Sequence, residues 1–316
     1  MSVLKFICKR LLTLIPVLLG ITIFAFVLGT SAPGDPVDSI LNPDGDQRYT
    51  KEQYDAVKER LGLDDPKPVQ YVKWLKNAVT GEFGQSFFTN KSIRDQLAMR
   101  VPITLRLAVL SMLLTIVFGI GLGVLMAMYR DTWVDHLIGT FSTAALSVPG
   151  FWLAIILILV FAEKWKVLPT SGIESFRSYI LPAVTVSLGT IGTCARLTRT
   201  SLLDEVGKQY MVVANAKGLA RKAAALKHAF VNALVPVTTF LGTYFAGIIG
   251  GSSIAEVIFS IPGLGSYAIS AVQSRDYLVV QAYVLFMGLI YVVMNLIIDL
   301  LYIVINPKIR VGEKVG

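Results

Sequence analysis

The sequence predicts an all-α membrane protein: six transmembrane helices, with a partly helical extracytoplasmic segment between the first and second. Three observations carry that prediction. The 316 residues are 54% hydrophobic and only 16% charged, with mean hydropathy +0.64, whereas a soluble domain carries about 25% charged residues to cover its wet surface. Uncharged runs long enough to cross a bilayer, about 20 residues as a helix, recur along the chain. The 29 Lys+Arg, set against 21 Asp+Glu, are divided unevenly among the connecting loops. The apolar content excludes a disordered chain. The two cysteines, Cys8 and Cys194, exclude a disulfide framework.

The first run, Leu11 to Gly34, follows Lys5, Lys9 and Arg10. That basic start is like a signal peptide's, but no small-residue cleavage site follows it. Its length and the Ala32-Pro33-Gly34-Asp35-Pro36 turn make it a retained first helix with a cytosolic N-terminus. The runs Leu107 to Tyr129, Leu137 to Ala162, Ser178 to Ala195, Ala229 to Ala255 and Tyr277 to Ile298 supply the other five spans. A further run, Val257 to Ser274, is interrupted by Ser260 and Ile261-Pro262-Gly263-Leu264-Gly265 and is rich in serine. Backbone freed at a Pro-Gly break is costly in lipid, so this run reads as a loop, in part re-entrant.

Six spans place fourteen Lys+Arg in the tails and loops of the cytosolic side, and only Lys164, Lys166, Arg177 and Arg275 in the short outer loops. Both termini are then cytosolic. The 32–101 segment holds ten Lys+Arg and eleven Asp+Glu, and segments of that length are translocated regardless of charge. Within it Thr50 to Leu61 and Val69 to Val79 have helical spacing, the latter with Val69, Val72, Leu75 and Val79 on one face. Tyr71, Trp74, Phe83, Phe87 and Phe88 give it more apolar surface than a flexible tether would carry, so it docks on the membrane domain. The organisation is a tail and first helix at 1–31, the extracytoplasmic segment at 32–101, a five-helix core at 102–306 and a cytosolic tail at 307–316.

Charges inside the spans are few. Arg106, Arg196 and Asp299 each sit near enough to a span end to snorkel, and an Arg196–Asp299 pair at one depth is the alternative. Gly119 to Gly123 and Gly247 to Gly251 contain G-x-x-x-G spacings, which let helix backbones approach closely. Pro149-Gly150 and Pro182 add kinks or breaks, which suit a moving bundle and occur in static ones too.

The stretch from Arg196 to Asn232 is basic and rich in alanine on both sides of Gly218. It predicts a helix from Leu202 to Lys217, a break at Gly218 and a second helix from Leu219 to Phe230, forming a cytosolic hairpin over 199–232. Two readings compete. Alanines without bulk suit docking in a partner's groove, and the basic residues suit anionic lipid. The chain contains no G-x-x-x-x-G-K-[ST] phosphate loop, so ATP-driven work in that mode needs a separate subunit. His136 and His228 are its two histidines, and neither is placed to pair with a serine within the membrane. The spans lack the inward carboxylate series of an ion-coupled carrier, which nonetheless stays as the alternative from another class.

Six groups of residues together resemble one family. They are the Ala32-Pro33-Gly34-Asp35-Pro36 turn, Leu61-Gly62-Leu63-Asp64-Asp65-Pro66, Gly81-Glu82-Phe83-Gly84-Gln85-Ser86, the cytosolic Ala214-Asn215-Ala216-Lys217-Gly218-Leu219 with Leu226 to Pro236, Ile261 to Gly265 with Arg275-Asp276-Tyr277, and Asn306 to Arg310. In this order they are similar to the membrane permease subunits of binding-protein-dependent ABC importers, in the oligopeptide, dipeptide and nickel branch. The wider superfamily places Glu-Ala-Ala six residues before the glycine, where this chain has Val212-Val213-Ala214.

The resemblance implies a type I ABC importer permease fold of the bacterial or archaeal cytoplasmic membrane. It implies half of a translocation pathway for di- or oligopeptides, with nickel or metal-chelate import as the alternative. The implied partners are a homologous second permease subunit, two ATPase subunits that hold the ATP and Mg, an extracytoplasmic binding protein and membrane lipid, with no nucleic acid. No cofactor and no catalytic residue is implied for this chain, which is then not an enzyme. ATPase coupling falls to Tyr210, Ala214, Ala216, Lys217, Gly218, Leu219, Lys227, His228 and Asn232. The Pro262, Gly263, Leu264 and Gly265 turn becomes part of an outer gate or a binding-protein contact, or else a static plug.

Overall fold

A computed structural model of the chain describes residues 3–31, 35–42, 48–60, 62–216 and 220–305. In order, the helices are α1 (Val3–Ser31), α2 (Pro36–Leu41), α3 (Lys51–Arg60), α4 (Lys67–Thr80), α5 (Ile93–Leu114), α6 (Gly121–Met128), α7 (Trp133–Ser147), α8 (Gly150–Leu157), α9 (Ile180–Val206), α10 (Gln209–Ala216), α11 (Arg221–Ala224), α12 (Phe230–Gly251), α13 (Ser253–Ile258), α14 (Leu264–Gln273) and α15 (Tyr277–Ile305). π-helical turns at Thr115–Ile120 and Ala225–Ala229 carry α5 into α6 and α11 into α12, and a third, Ile158–Lys164, extends α8. Among the described residues there is no strand beyond an isolated Gln85–Ser92 bridge. Among the described residues five helical stretches are long and apolar enough to cross a membrane: Leu12–Ser31, Ile93–Met128, Phe176–Val206, Ala225–Gly250 and Tyr277–Ile297. The pair Trp133–Ser147 and Gly150–Lys164, bent by 103°, makes a sixth when taken as one span.

The bend follows from Pro149, which cannot continue a helix and pushes the residue before it to an extended conformation. Val148 has ψ 122° and Pro149 ψ 131°, and the next helix restarts where Leu153 N donates to Pro149 O at 3.0 Å. The second span departs from expectation. Its helix begins at Ile93, well before Leu107, because Arg94, Asp95, Arg100, Pro102 and Arg106 conceal a helix that runs on past the apolar part. At about 1.5 Å per residue, 36 residues exceed the hydrocarbon thickness, so the charged first turns need not enter it.

The chain divides into two compact units, each with its own packing. One comprises residues 104–261 with the chain from 293 onward. Its centre is α9. A Cβ added at Gly119 would lie 2.7 Å from Cys194 Cβ, one at Gly123 would lie 2.5 Å from Ala195 O, and one at Gly192 would lie 2.6 Å from Ser142 O. The first G-x-x-x-G is therefore a helix-packing face, with α5–α6 on one side of α9 and α7 against Gly192. Gly247 of the second spacing differs: among the described residues a Cβ there meets nothing within 4 Å, so it is not a close-packing position against them. Val237 and Leu241 of α12 close over Cys194 from another direction.

The second unit comprises residues 4–103 and 262–292. Asp35 caps α2 by accepting Val37 N at 2.8 Å, and it accepts the Tyr54 hydroxyl at 2.6 Å, tying α2 to α3. Residues 32–34, the rest of that turn, lie outside the described residues. On α4 the expected valine face is the wrong one. Val69, Val72 and Val79 are exposed, and Tyr71 and Trp74 pack on Phe26 with ring centroids 5.5 and 5.9 Å away. Aromatic rings bury more area than valines, so they set which side of the helix turns inward. Small residues let α1 approach α15: a Cβ at Gly29 would lie 1.9 Å from Gln281 Nε2, and one at Gly288 would lie 2.6 Å from Ile21 Cγ2.

Two of the motif segments meet in this unit. Ser86 Oγ donates to the buried Asp276 Oδ2 at 2.5 Å, while Asp276 Oδ1 accepts Val279 N at 3.5 Å at the start of α15. Asp276→Ala leaves the Ser86 hydroxyl buried without its acceptor and removes a helix cap. The expected cost is about 1–3 kcal/mol, read as a lowered thermal midpoint of the purified protein in detergent, with Ser86→Ala less severe.

Candidate functional site

The hairpin region lies in the first unit and differs from the expected pair of helices. α9 stops at Val206, Gly207 N returns to Leu203 O at 3.1 Å, and α10 starts afresh at Gln209, so no single helix runs from Leu202 to Lys217. Glycine is a poor helix former, and here Lys208 N closes a turn onto Glu205 O at 3.2 Å. On the other arm nothing stops at Phe230. α11, the Ala225–Ala229 π-turn and α12 are continuous, so the arm is a direct extension of a membrane span. Lys217, Gly218 and Leu219 lie outside the described residues.

A small core holds the arms together. Leu202, Met211, Ala224, Ala225, Ala229 and Ala233 are buried, with Val206, Ala214 and Phe230 packed against them. The alanines thus do a different job from the one expected. Ala224, Ala225 and Ala229 let α10 lie close to the second arm and are not available to a partner's groove. The outward surface consists of Val212, Val213 and Leu226, all exposed, beside exposed Ala216, Lys227 and His228.

Tyr210 joins the arms from outside. Its hydroxyl donates to Glu205 Oε2 at 2.8 Å and accepts from Asn232 Nδ2 at 3.3 Å, and Asn232 also donates to His228 O at 3.1 Å. Burial first, and also the bond to Glu205, hold the Tyr210 phenol above its ordinary pKa, against the opposing pull of Asn232. It therefore keeps its proton at neutral pH and can serve as donor and acceptor together. Lys208 Nζ takes the other oxygen of Glu205 at 2.6 Å.

The Pro262 to Gly265 turn is also built differently from a loop. Residues 264–273 form α14, with Leu264, Tyr267, Ala268 and Ala271 buried. The serines of this run sit off the buried side of an amphipathic helix: Ser270 is exposed, and Ser274, half-buried, caps the helix end. Gly263, Leu264 and Gly265 are buried and only Pro262 is exposed, so Pro262 alone of the four presents a surface. In the second unit Arg100 Nη1 donates to Gly263 O at 3.4 Å, and its guanidinium lies 4.5 Å above the Tyr267 ring. Burial pushes the Tyr267 phenol up to about 12, so this is a cation over a neutral ring. In the first unit the fully buried Glu256 accepts Thr104 Oγ1 at 2.7 Å and Ser252 Oγ at 3.2 Å, fixing α13 to α5.

Arg196 Nη1 reaches Thr143 Oγ1 at 3.4 Å, and the side chain of Asp299 lies outside the described residues. The ion pair that ties α7 to α9 is instead a two-pronged one. Arg199 Nε and Nη2 meet the Asp135 oxygens at 2.7 and 2.6 Å, and Asp135 is 5% exposed. Sequence reasoning passed over this pair, because Asp135 marked only the edge of an uncharged run. Its signal was a lone acid at one span end and a lone base at another.

The described helices are those of a multi-pass membrane protein, with a basic segment whose second arm continues directly into a span. The comparisons agree. The family described as binding-protein-dependent transport system inner membrane component matches residues 119–311, and its N-terminal companion matches residues 3–108. Glutathione transport system permease proteins GsiC of Escherichia coli strain K12 and of Shigella dysenteriae serotype 1 are each 38% identical over 307 residues, covering 97% of this chain and 99% of theirs. The chain belongs to the binding-protein-dependent transport system inner membrane component family, and is an ABC importer permease subunit, not an enzyme.

Proposed function

We propose that this chain forms half of the pathway of an importer for short peptides, with a homologous permease subunit as the other half. The observation that carries the substrate class is full-length similarity to permeases named for glutathione, a peptide-like solute. An extracytoplasmic binding protein delivers the peptide. Two ATPase subunits, which hold ATP and Mg, supply the energy, and lipid surrounds the spans. The orientation that fits is both termini in the cytosol and the 32–101 segment outside.

The 199–232 hairpin is the proposed coupling element, with Tyr210, Ala214, Ala216, Lys217, Gly218, Leu219, Lys227, His228 and Asn232 forming or bracing it. Val212, Val213 and Leu226 supply the apolar contact for an ATPase cleft. Closure of the ATPases displaces the hairpin. Because the second arm continues as α12, that displacement is delivered to a membrane span without an intervening loop. Alternating access follows if ATP binding favours one of two packings. The Pro262 to Gly265 turn, held in place by Arg100, is the proposed outer gate.

The test is uptake by proteoliposomes carrying the assembled transporter, with binding protein outside and ATP inside. Accumulation of labelled glutathione or trialanine that stops without ATP is the expected result. Uptake of a nickel chelate with no uptake of either peptide overturns the substrate class.

A further inference from the structure

The second unit contains a cleft of about 610 Å³, within the range of small-molecule sites. Its walls include the rings of Phe26, Trp74, Phe83 and Phe87. Its polar lining carries both signs of charge. Lys67 and the carboxylates Glu59 and Glu82 all line it, and none of the three has an ion-pair partner among the described residues. Lys73, also in the lining, is committed to Asp65 at 2.5 Å, and Gln70 is committed to the Leu63 and Asp65 carbonyls at 3.1 and 2.8 Å. Gln281 is 95% buried by its 5% exposure, yet it makes only a long bond to Phe26 O, at 3.4 Å, and among the described residues no donor reaches its Oε1.

Each feature narrows the ligand. Two unpaired carboxylates disfavour a simple anion, and an unpaired ammonium disfavours a simple cation. A molecule with an ammonium at one end and a carboxylate at the other satisfies both. Gln281 Oε1, in the same lining, is an acceptor for a peptide N–H. Aromatic walls take side chains of varied shape without demanding one. We infer that this cleft binds a di- or tripeptide with free termini, its ammonium toward Glu59 and Glu82 and its carboxylate toward Lys67. It is a peptide site built by α1, the 32–101 segment and the start of α15 of this subunit alone. The inference rests on the peptide-import reading and adds a second place, besides the pathway shared with the other permease, where the solute is held.

The experiment is calorimetric titration of the assembled transporter, without binding protein, in phosphatidylcholine nanodiscs. The probes are trialanine with free termini and the same peptide acetylated and amidated. Saturable binding of the free peptide is expected, at least about tenfold weaker for the blocked one and about tenfold weaker in Lys67→Gln and in Glu82→Gln. Both residues are exposed, so these variants keep the fold, checked by an unchanged melting midpoint. No binding to the wild type, equal binding of the blocked peptide, or unchanged binding in both variants overturns the inference. The ammonium and phosphate of phosphatidylethanolamine share the zwitterion's chemistry, so the titration is repeated with that lipid. Retained trialanine affinity supports the peptide site. Tight co-purification of phosphatidylethanolamine that trialanine does not displace makes it a headgroup site and overturns the inference. Uptake measured in parallel separates the two readings: peptide uptake without binding in the cleft sinks this inference alone, whereas ATP hydrolysis without uptake of any peptide sinks peptide import.

Discussion

Replacing Gly123 with leucine is expected to remove most folded protein from the membrane fraction, while Gly121→Leu leaves its amount and melting midpoint nearly unchanged. The two glycines are two residues apart in one helix and equal in intrinsic propensity cost. They differ in what a side chain would meet. At Gly123 a Cβ comes within 2.5 Å of both Ala195 O and Thr198 Cβ, and at Gly121 it meets nothing within 4 Å. A backbone carbonyl on a packed helix cannot swing aside as a flexible side chain can. The helices must separate, and the contact through Gly119 and Cys194 goes with them. Overpacking costs about 1–3 kcal/mol when the surroundings can adapt and more when they cannot. Against a total stability of about 5–15 kcal/mol, that is enough to lose most of the chain to quality control. Size-exclusion recovery and thermal unfolding in detergent check both variants. Equal behaviour of the two would mean that α6 does not approach α9 at Gly123.

Which parts of this molecule were legible in its sequence depends on what local pattern encodes. The spans were legible because water-free runs must be apolar over their whole length. The break at Pro149 was legible because a proline acts on its own chain neighbours. Four features were not, each for a physical reason. α14 hid behind its serines, since an amphipathic helix of ten residues bordering a Pro-Gly turn has the composition of a loop. The inward face of α4 was misjudged because counting valines ignores the larger area of Tyr71 and Trp74, and burial is decided by partners such as Phe26 that lie far away in sequence. In the hairpin, alanines carry no directional mark. The same composition serves a partner's groove or an internal core, and only the packing of Met211 between the arms decides for the core. Long-range polar pairs, Ser86 with Asp276, Thr104 with Glu256 and Asp135 with Arg199, left no local signal beyond a charged or hydroxyl residue near a span end.

Met211→Ala is expected to lower ATP-driven uptake by more than tenfold while leaving the transporter assembled, and Met211→Leu to restore most of it. Met211 is 1% exposed and is the buried side chain that α10 contributes to the core joining it to the second arm. Truncation of such a residue costs about 2–5 kcal/mol, and here most of that loss falls on one short helix. α10 has eight residues and is too short to hold its shape unaided. Without Met211 it loosens from Leu202 and Ala224, while Val212, Val213 and Leu226 still offer their apolar surface to a partner. A loose lever can dock yet deliver little displacement. Hydrolysis by the assembled complex should therefore continue and lose its dependence on peptide-loaded binding protein. Leucine fills a similar volume and keeps the arms together, which separates loss of rigidity from loss of the methionine as such. Hydrogen exchange across 209–216 reads the loosening directly. If exchange there rises and uptake is nevertheless kept, rigidity of the first arm is not what transmits the ATPase closure. The continuous second arm, from Arg221 through the π-turn into α12, would then carry it alone.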